Sequence, residues 1–195
     1  MSVDFWWVRH GPTHAKTLIG HTDIAADLSD TAGLHRLKNF LPTKAYFISS
    51  DLIRAKTTAR KLLDQHREPV LARSLREIDF GVWEGRSFED IAVSDPDISR
   101  EYWEHPGDIA PENGESWNVF STRIHNEINL ILNRDHSRNI VLVAHFGVIL
   151  AALQLAGNLP ARSVFSFKID NLSVTRICHF PESNSWAIKS VNQNI

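Results

Sequence analysis

Trp6-Trp7-Val8-Arg9-His10-Gly11 changes character within a single step: an aromatic and valine run that begins at Asp4 stops at an arginine, a histidine and a glycine. Bulky aromatic and β-branched side chains favour a buried strand, and Gly11-Pro12 ends it. The same change recurs at Ile140-Val141-Leu142-Val143-Ala144-His145-Phe146-Gly147, where a strand-like run leads straight into the apolar helical stretch Val148 to Leu155. Between the two, Ala45 to Ile48 reads as a strand that passes through Ser49-Ser50-Asp51 into a helix over Ile53 to Leu63, with Asp51 in the capping position. Repeated strand-loop-helix units predict an α/β fold, a three-layer α/β/α sandwich on a mainly parallel central sheet with an antiparallel edge strand.

Working outward, Ser29-Asp30-Thr31-Ala32 caps a helix carrying Leu34, Leu37 and Phe40, which Pro42 ends. Val70 to Leu75 reads as a short strand and Glu77 to Gly85 as an ordered loop. Helices are expected over Phe88 to Val93 and Ile98 to Glu104, separated by Ser94-Asp95-Pro96-Asp97. From Ser116, the spacing of Val119, Phe120, Ile124, Ile128, Ile131 and Leu132 predicts one long amphipathic helix. Strands are expected over Ser163 to Ile169 and Leu172 to Cys178, flanking Asp170-Asn171, and another over Ser185 to Val191.

A chain of 195 residues, 43% hydrophobic, can bury one substantial core, so residues 1–195 are expected to form a single domain. The 21 basic and 23 acidic side chains are dispersed, which leaves no electrostatic footprint for nucleic acid. Met1 to Val8 has neither a signal peptide's pattern nor a membrane span's length, so no membrane association and a cytoplasmic location are expected. The lone Cys178 cannot form an internal disulfide; it reads as a small buried hydrophobe and fits a reducing compartment. No glycine-rich nucleotide fingerprint is present, and no cofactor is expected.

In open α/β sheets, ligands bind where loops leave the carboxyl ends of strands. Arg9-His10-Gly11, Ser49 to Arg54, and His145-Phe146-Gly147 all occupy such positions. Arginine and histidine there are costly to bury unless they meet an anion. Guanidinium forks match phosphate oxygens, so Arg9 and Arg54 suit a clamp, His145 adds a donor, and His10 is left free to react. His10, His14 and His21 with Asp23 also suggest a metal set, against which the two arginines would repel a divalent cation.

The chain resembles the histidine phosphatase superfamily, also called phosphoglycerate-mutase-like. The resemblance rests on Arg9-His10-Gly11-Pro12-Thr13, Ser50-Asp51-Leu52-Ile53-Arg54-Ala55, Leu75-Arg76-Glu77 with the loop to Gly85, Gly114-Glu115-Ser116 and Ala144-His145-Phe146-Gly147, in family order. It implies that His10 attacks phosphorus, that Arg9, Arg54 and His145 hold the phosphoryl oxygens, and that Glu77 handles protons, with Asp79 its local rival. Thr13 and Phe146 are expected beside them at the substrate, while Phe80 and Trp83 are expected to pack the loop. Such an enzyme is a metal-independent phosphoric monoester hydrolase acting on a small phosphorylated metabolite through a phosphohistidine. The chain is similar to the compact phosphatases of the family, the α-ribazole phosphatase type included, more than to the longer mutases. A mutase and a non-catalytic phospholigand-binding protein remain as alternatives, and oligomeric state is left open. Pro12, Lys16 and Phe146 depart from the family pattern, and Lys16, His14 and His21 offer a positive rim for an acidic substrate.

Overall fold

The computed structural model describes residues 2–64, 66–134 and 138–195. Its central strand is β1 (Val3–Arg9), in which Phe5 and Trp7 pack into one core cluster and Val8 into another, the alternation a strand imposes. β4 (Asn139–Ala144) pairs with it in parallel, Arg9 level with Ala144. Its side chains divide likewise, Ile140, Leu142 and Ala144 against Val141 and Val143. β2 (Tyr46–Ser49) pairs in parallel with β4, and the two-residue β3 (Val70–Leu71) with β2. Beyond β1, β5 (Val174–Phe180) and β6 (Ser185–Gln193) run antiparallel, which completes a six-stranded sheet ordered β3-β2-β4-β1-β5-β6.

Helices cover both faces. α1 (Thr31–Phe40) and α2 (Ile53–Leu62) bury Leu34, Leu37, Ala55, Ala59 and Leu62 against Val8, Val141 and Val143. On the other face α5 (Trp117–Leu132) and α6 (Phe146–Gly157) bury Phe120, Ile124, Ile128, Val148 and Leu150 with Phe5, Trp7 and Leu142. α3 (Phe88–Ser94), α4 (Pro96–Glu104) and α7 (Ala161–Val164) join that cluster through Ile91, Tyr102 and Val164. The fold is therefore the expected α/β/α sandwich on a mainly parallel sheet, with antiparallel pairing at one edge, where β5 runs against both β1 and β6.

Several local expectations give way to tertiary contacts. Asp51 does not cap α2: its carboxylate takes a two-pronged bond from Arg76, at 2.7 and 2.6 Å. Asp23, from the long loop before α1, accepts from the Ile53 N–H at 2.6 Å instead, a role that stabilises a helix by about 1 kcal/mol. Only Val70 and Leu71 of the expected strand are extended, and Arg73–Leu75 closes into a 3-10 turn that buries Leu75. Asp95 alone separates α3 from α4, because Pro96 starts the second helix, where its missing N–H costs nothing.

The strand expected over Ser163 to Ile169 is not formed. Pro160 precedes the short α7, and the chain then turns instead of pairing. Asp170-Asn171 is accordingly no hairpin turn. It props the loop after β1: Asn171 Nδ2 donates to the His10 carbonyl at 2.8 Å, and Arg9 Nη1 donates to the Ile169 carbonyl at 2.7 Å. The antiparallel hairpin lies one element later, between β5 and β6.

Candidate active site

β1 and β4 end side by side, and the His10 N–H donates to the Ala144 carbonyl at 3.0 Å, so the residues that follow each strand meet. The rings of His10 and His145 lie edge to face, their centroids 5.1 Å apart. His10 Nδ1 is 2.7 Å from the carbonyl oxygen of Gly11. A carbonyl only accepts, so Nδ1 carries the proton and Nε2 keeps its lone pair. Burial pushes the His10 pKa down to about 3; the Gly11 contact opposes this, and Arg54 and Arg9 add to it. His145 is fully buried, and burial with the nearby His10 and arginines holds it well below the usual histidine range. Among the described residues neither of its ring nitrogens has a hydrogen-bond partner, and neither has Arg9 Nε. Buried donors without partners are costly, so this arrangement favours an incoming acceptor.

Arg54 stands in the first turn of α2, 1% exposed, where the strand-loop-helix geometry of β2 and α2 aims it at the same edge. Nη1 and Nη2 donate to the carbonyls of Thr22 and Gly20 at 2.9 and 2.6 Å. The loop that supplies those acceptors is held from its other side by Glu84. That carboxylate accepts from the N–H groups of Gly20, His21 and Thr22, from the Thr22 hydroxyl and from the Phe80 N–H. Burial raises the Glu84 pKa, but these donors outweigh it and leave it below the usual glutamate range. Gly20 permits the approach, since a Cβ there would come within 2.0 Å of the Ile78 carbonyl.

Glu77 follows the 3-10 turn and is 8% exposed. Its Oε1 accepts from the Ile78 N–H at 3.0 Å and its Oε2 from the Gly147 N–H, in the first turn of α6, at 3.1 Å. A Cβ at Gly147 would stand 2.5 Å from Glu77 Oε1, so only glycine allows this contact. Burial raises the Glu77 pKa; the two N–H groups, Arg54 and Arg9 oppose it without cancelling it. The backbone on both sides of Glu77 is clamped by α5. Arg123 donates to the carbonyls of Ser74, Arg76 and Glu77 at 2.8, 3.0 and 3.3 Å while pairing with Glu115, whose Oε2 also accepts from the Asp79 N–H. Asp79 itself is committed elsewhere, to His21 at 3.0 Å and to the Gly81 N–H at 2.9 Å.

Part of this cluster opens onto a cavity of about 300 Å³, while His145, fully buried, lies behind His10 and outside the lining. Arg9, His10, Arg54 and Glu77 line it, as do the expected Thr13 and Phe146, the latter lying over the Arg9 guanidinium at 5.5 Å. Trp83 packs the loop as expected, 1% exposed, whereas Phe80 lines the cavity. His14, Lys16 and His21 are not part of the lining: His14 pairs with Asp27 at 2.9 Å and His21 with Asp79. Asp23 is spent on α2, and among the described residues no group of three or more histidine, cysteine or acidic side chains is placed to hold a metal. Sequence reasoning missed Asn171, Glu115 and Arg123, and it missed the far wall of the cavity, Phe88, Trp103, Trp117 and Phe165. The Gly114-Glu115-Ser116 segment was a visible signal for Glu115; nothing local marked the others.

The model of the histidine phosphatase superfamily (branch 1) matches residues 5–194. An adenosylcobalamin/α-ribazole phosphatase of Escherichia coli K12 is 30% identical over 175 residues, 85% of this chain and 84% of its own length. The crystal structure of the α-ribazole phosphatase from Shigella flexneri superposes with a TM-score of 0.84 at 26% identity, covering 98% of this chain and 97% of that one. A mycobacterial glucosyl-3-phosphoglycerate phosphatase in complex with inorganic phosphate superposes with a TM-score of 0.85 at 25% identity, covering 98% of each chain.

Proposed function

This chain belongs to the histidine phosphatase superfamily, branch 1, and is a phosphatase, and from that premise we propose that it hydrolyses a small organic phosphate monoester in two steps through a phosphohistidine on His10. The observation that carries this reading is the ring of His10: neutral, locked by Gly11 with its proton on Nδ1, and set beside two arginines and a second neutral histidine. In the first step Nε2 attacks phosphorus and the P–O bond to the alcohol breaks. Glu77, whose protonated form burial favours, gives its proton to the departing oxygen. In the second step Glu77 takes a proton from water, the hydroxide attacks phosphorus, and the P–N bond breaks to release phosphate. Arg9 and Arg54 neutralise the oxygens throughout while the neutral His145 donates a hydrogen bond to them, and the two guanidinium charges take the place a metal would fill. Thr13 and Phe146 border the reacting group.

The whole of residues 1–195 acts as one domain in this reading, since the cavity draws on side chains from Arg9 to Phe165. A cytoplasmic setting suits the buried, unpaired Cys178; among the described residues no helix is long and apolar enough to cross a membrane.

Phosphate release from p-nitrophenyl phosphate tests the reading, with wild type and His10→Asn assayed with and without a chelator. The variant is expected to lose about 10⁴-fold or more in kcat/KM, with chelator inert and an acid-labile phosphoenzyme trapped in wild type alone. Release that survives His10→Asn would sink the nucleophile, and loss in chelator would point to a metal. With an ester that carries a second hydroxyl in place of p-nitrophenyl phosphate, a phosphoryl group recovered on that hydroxyl instead of in solution would make the protein a mutase.

A further inference from the structure

The two ends of the cavity differ in chemistry, and the difference constrains the alcohol. The ionisable side chains in the lining are Arg9, His10, Arg54, Glu77 and the Tyr102 phenol. Burial lowers the pKa of His10 and of His145, which disfavours their cationic forms, and raises those of Glu77 and the Tyr102 phenol, which disfavours their anionic forms. What remains is the two guanidinium charges, which match the two negative charges of one phosphate monoester. Among the described residues no lysine and no third arginine lines the cavity, so a second anionic group on the substrate would be desolvated without a partner.

Away from the phosphoryl end the lining is made of rings. Trp103 of α4 packs against Phe88 of α3 at 5.4 Å and against Phe80 at 6.2 Å between centroids, which gives one continuous aromatic wall. Trp117 and Phe165, 4.7 Å apart, line the cavity as well. The polar handles of these rings mostly face the protein: Trp117 Nε1 donates to Gln154 at 2.9 Å and the Tyr102 hydroxyl to the Glu115 carbonyl at 3.5 Å. Trp103 Nε1, buried without a partner among the described residues, is the exception. A lone N–H donor suits an acceptor atom on the leaving group.

We propose that the alcohol this enzyme releases carries a flat ring and no anionic group, the ring held against Trp103, Phe88 and Trp117 while its phosphate occupies the Arg9 and Arg54 end. The proposal rests on the phosphomonoesterase reading and adds the substrate class to it. Alcohols bearing carboxylates or a second phosphate are rejected by the missing cation, and small polyols by the rings they leave unfilled.

Three esters of primary alcohols keep the leaving group comparable: 2-phenylethyl phosphate, glycerol 1-phosphate and 3-phosphoglycerate. The first is expected to exceed the second by about 30-fold in kcat/KM, the scale of one buried ring, and 3-phosphoglycerate to be the poorest. Trp103→Ala is expected to shrink the first ratio by about 10-fold through KM, and Trp103→Phe to keep most of it. A binding arm needs neither turnover nor a variant: wild type is titrated by calorimetry with 3-phenylpropylphosphonate and with 3-carboxypropylphosphonate, and tighter binding of the phenyl compound is expected. Release without a ring preference, or 3-phosphoglycerate as the best ester, overturns this proposal and leaves the phosphatase reading standing. Preferential binding of the phenyl compound with no release from any ester supports the ring site and overturns the hydrolase reading. Neither release nor preferential binding overturns both.

Discussion

The phosphoryl end of the cavity and its aromatic end are built on different principles. The first is assembled from the ends of β1 and β4 and the first turns of α2 and α6, elements anchored in the sheet, so its geometry is that of the core. The second comes from α3, α4, the start of α5 and the residue after α7, which pack on the outside of one helical layer. Phe88 is 53% exposed there, while Arg54 at the other end is 1% exposed. Chemistry that needs ångström precision sits on rigid elements, and recognition of the leaving group sits where change is tolerated.

Substitutions at the two ends should therefore behave differently. Removing a clamp is expected to be indifferent to the alcohol: Arg54→Ala should lower kcat/KM by about 10²- to 10³-fold for every ester alike. Unequal losses across a panel of esters would break the distinction between the ends.

Glu77→Gln should cost about 10²-fold or more in kcat and, more tellingly, should abolish the alkaline limb of the pH profile. Glu77 donates a proton in the first step and its pKa is raised by burial. The active protonated form therefore persists at low pH and is lost as pH rises through the raised value. A profile whose alkaline limb is the same in wild type and Glu77→Gln would assign the acid to another group.

Arg123 touches none of the cavity yet holds the backbone at Ser74, Arg76 and Glu77. It is a positioning residue for the phosphoryl end. Arg123→Ala should reduce kcat by about 10-fold and move the alkaline limb to lower pH, since a loosened loop admits water and relieves the burial that raises the Glu77 pKa. Arg123→Lys, which restores some of the donors, should recover part of both. A fall in thermal stability with an unmoved pH profile would make the clamp merely structural.

The smallest effect is expected at the aromatic rim. Phe88→Ala should raise KM for 2-phenylethyl phosphate by only about 3-fold and leave KM for glycerol 1-phosphate unchanged, because the side chain is half in solvent. A change of equal size for both esters would remove Phe88 from leaving-group recognition.

The same division explains what the sequence made legible. β1, β4 and the residues just past them announce themselves, because a buried strand must be apolar and a cation at its end is conspicuous. Asp51 misled because capping propensity is local, and a partner 25 residues away, Arg76, outbid the nearest helix for its carboxylate. The run from Ser163 to Ile169 has the composition of a strand, but Pro160 and the packing of Val164 under α6 turn it into a helical stub and a prop. Arg123 and Trp103 are ordinary residues of amphipathic helices until tertiary contacts bring one to the Glu77 loop and the other to the cavity. No periodicity distinguishes a ring that fills a core from one that lines a cavity.

The anchoring of Arg54 has a consequence in conformational entropy. A long arginine on a surface gives up rotamer freedom when it closes on an anion, and that loss is subtracted from the affinity. Here Nη1 and Nη2 are already tied to the Thr22 and Gly20 carbonyls, and those peptides are pinned in turn by Glu84. The ordering is completed when the chain folds, so the phosphoryl group meets a guanidinium with no freedom left to lose. The loop from Pro12 to Asp30, which has no helix or strand of its own, thus serves as a template that folding sets once and every catalytic cycle reuses.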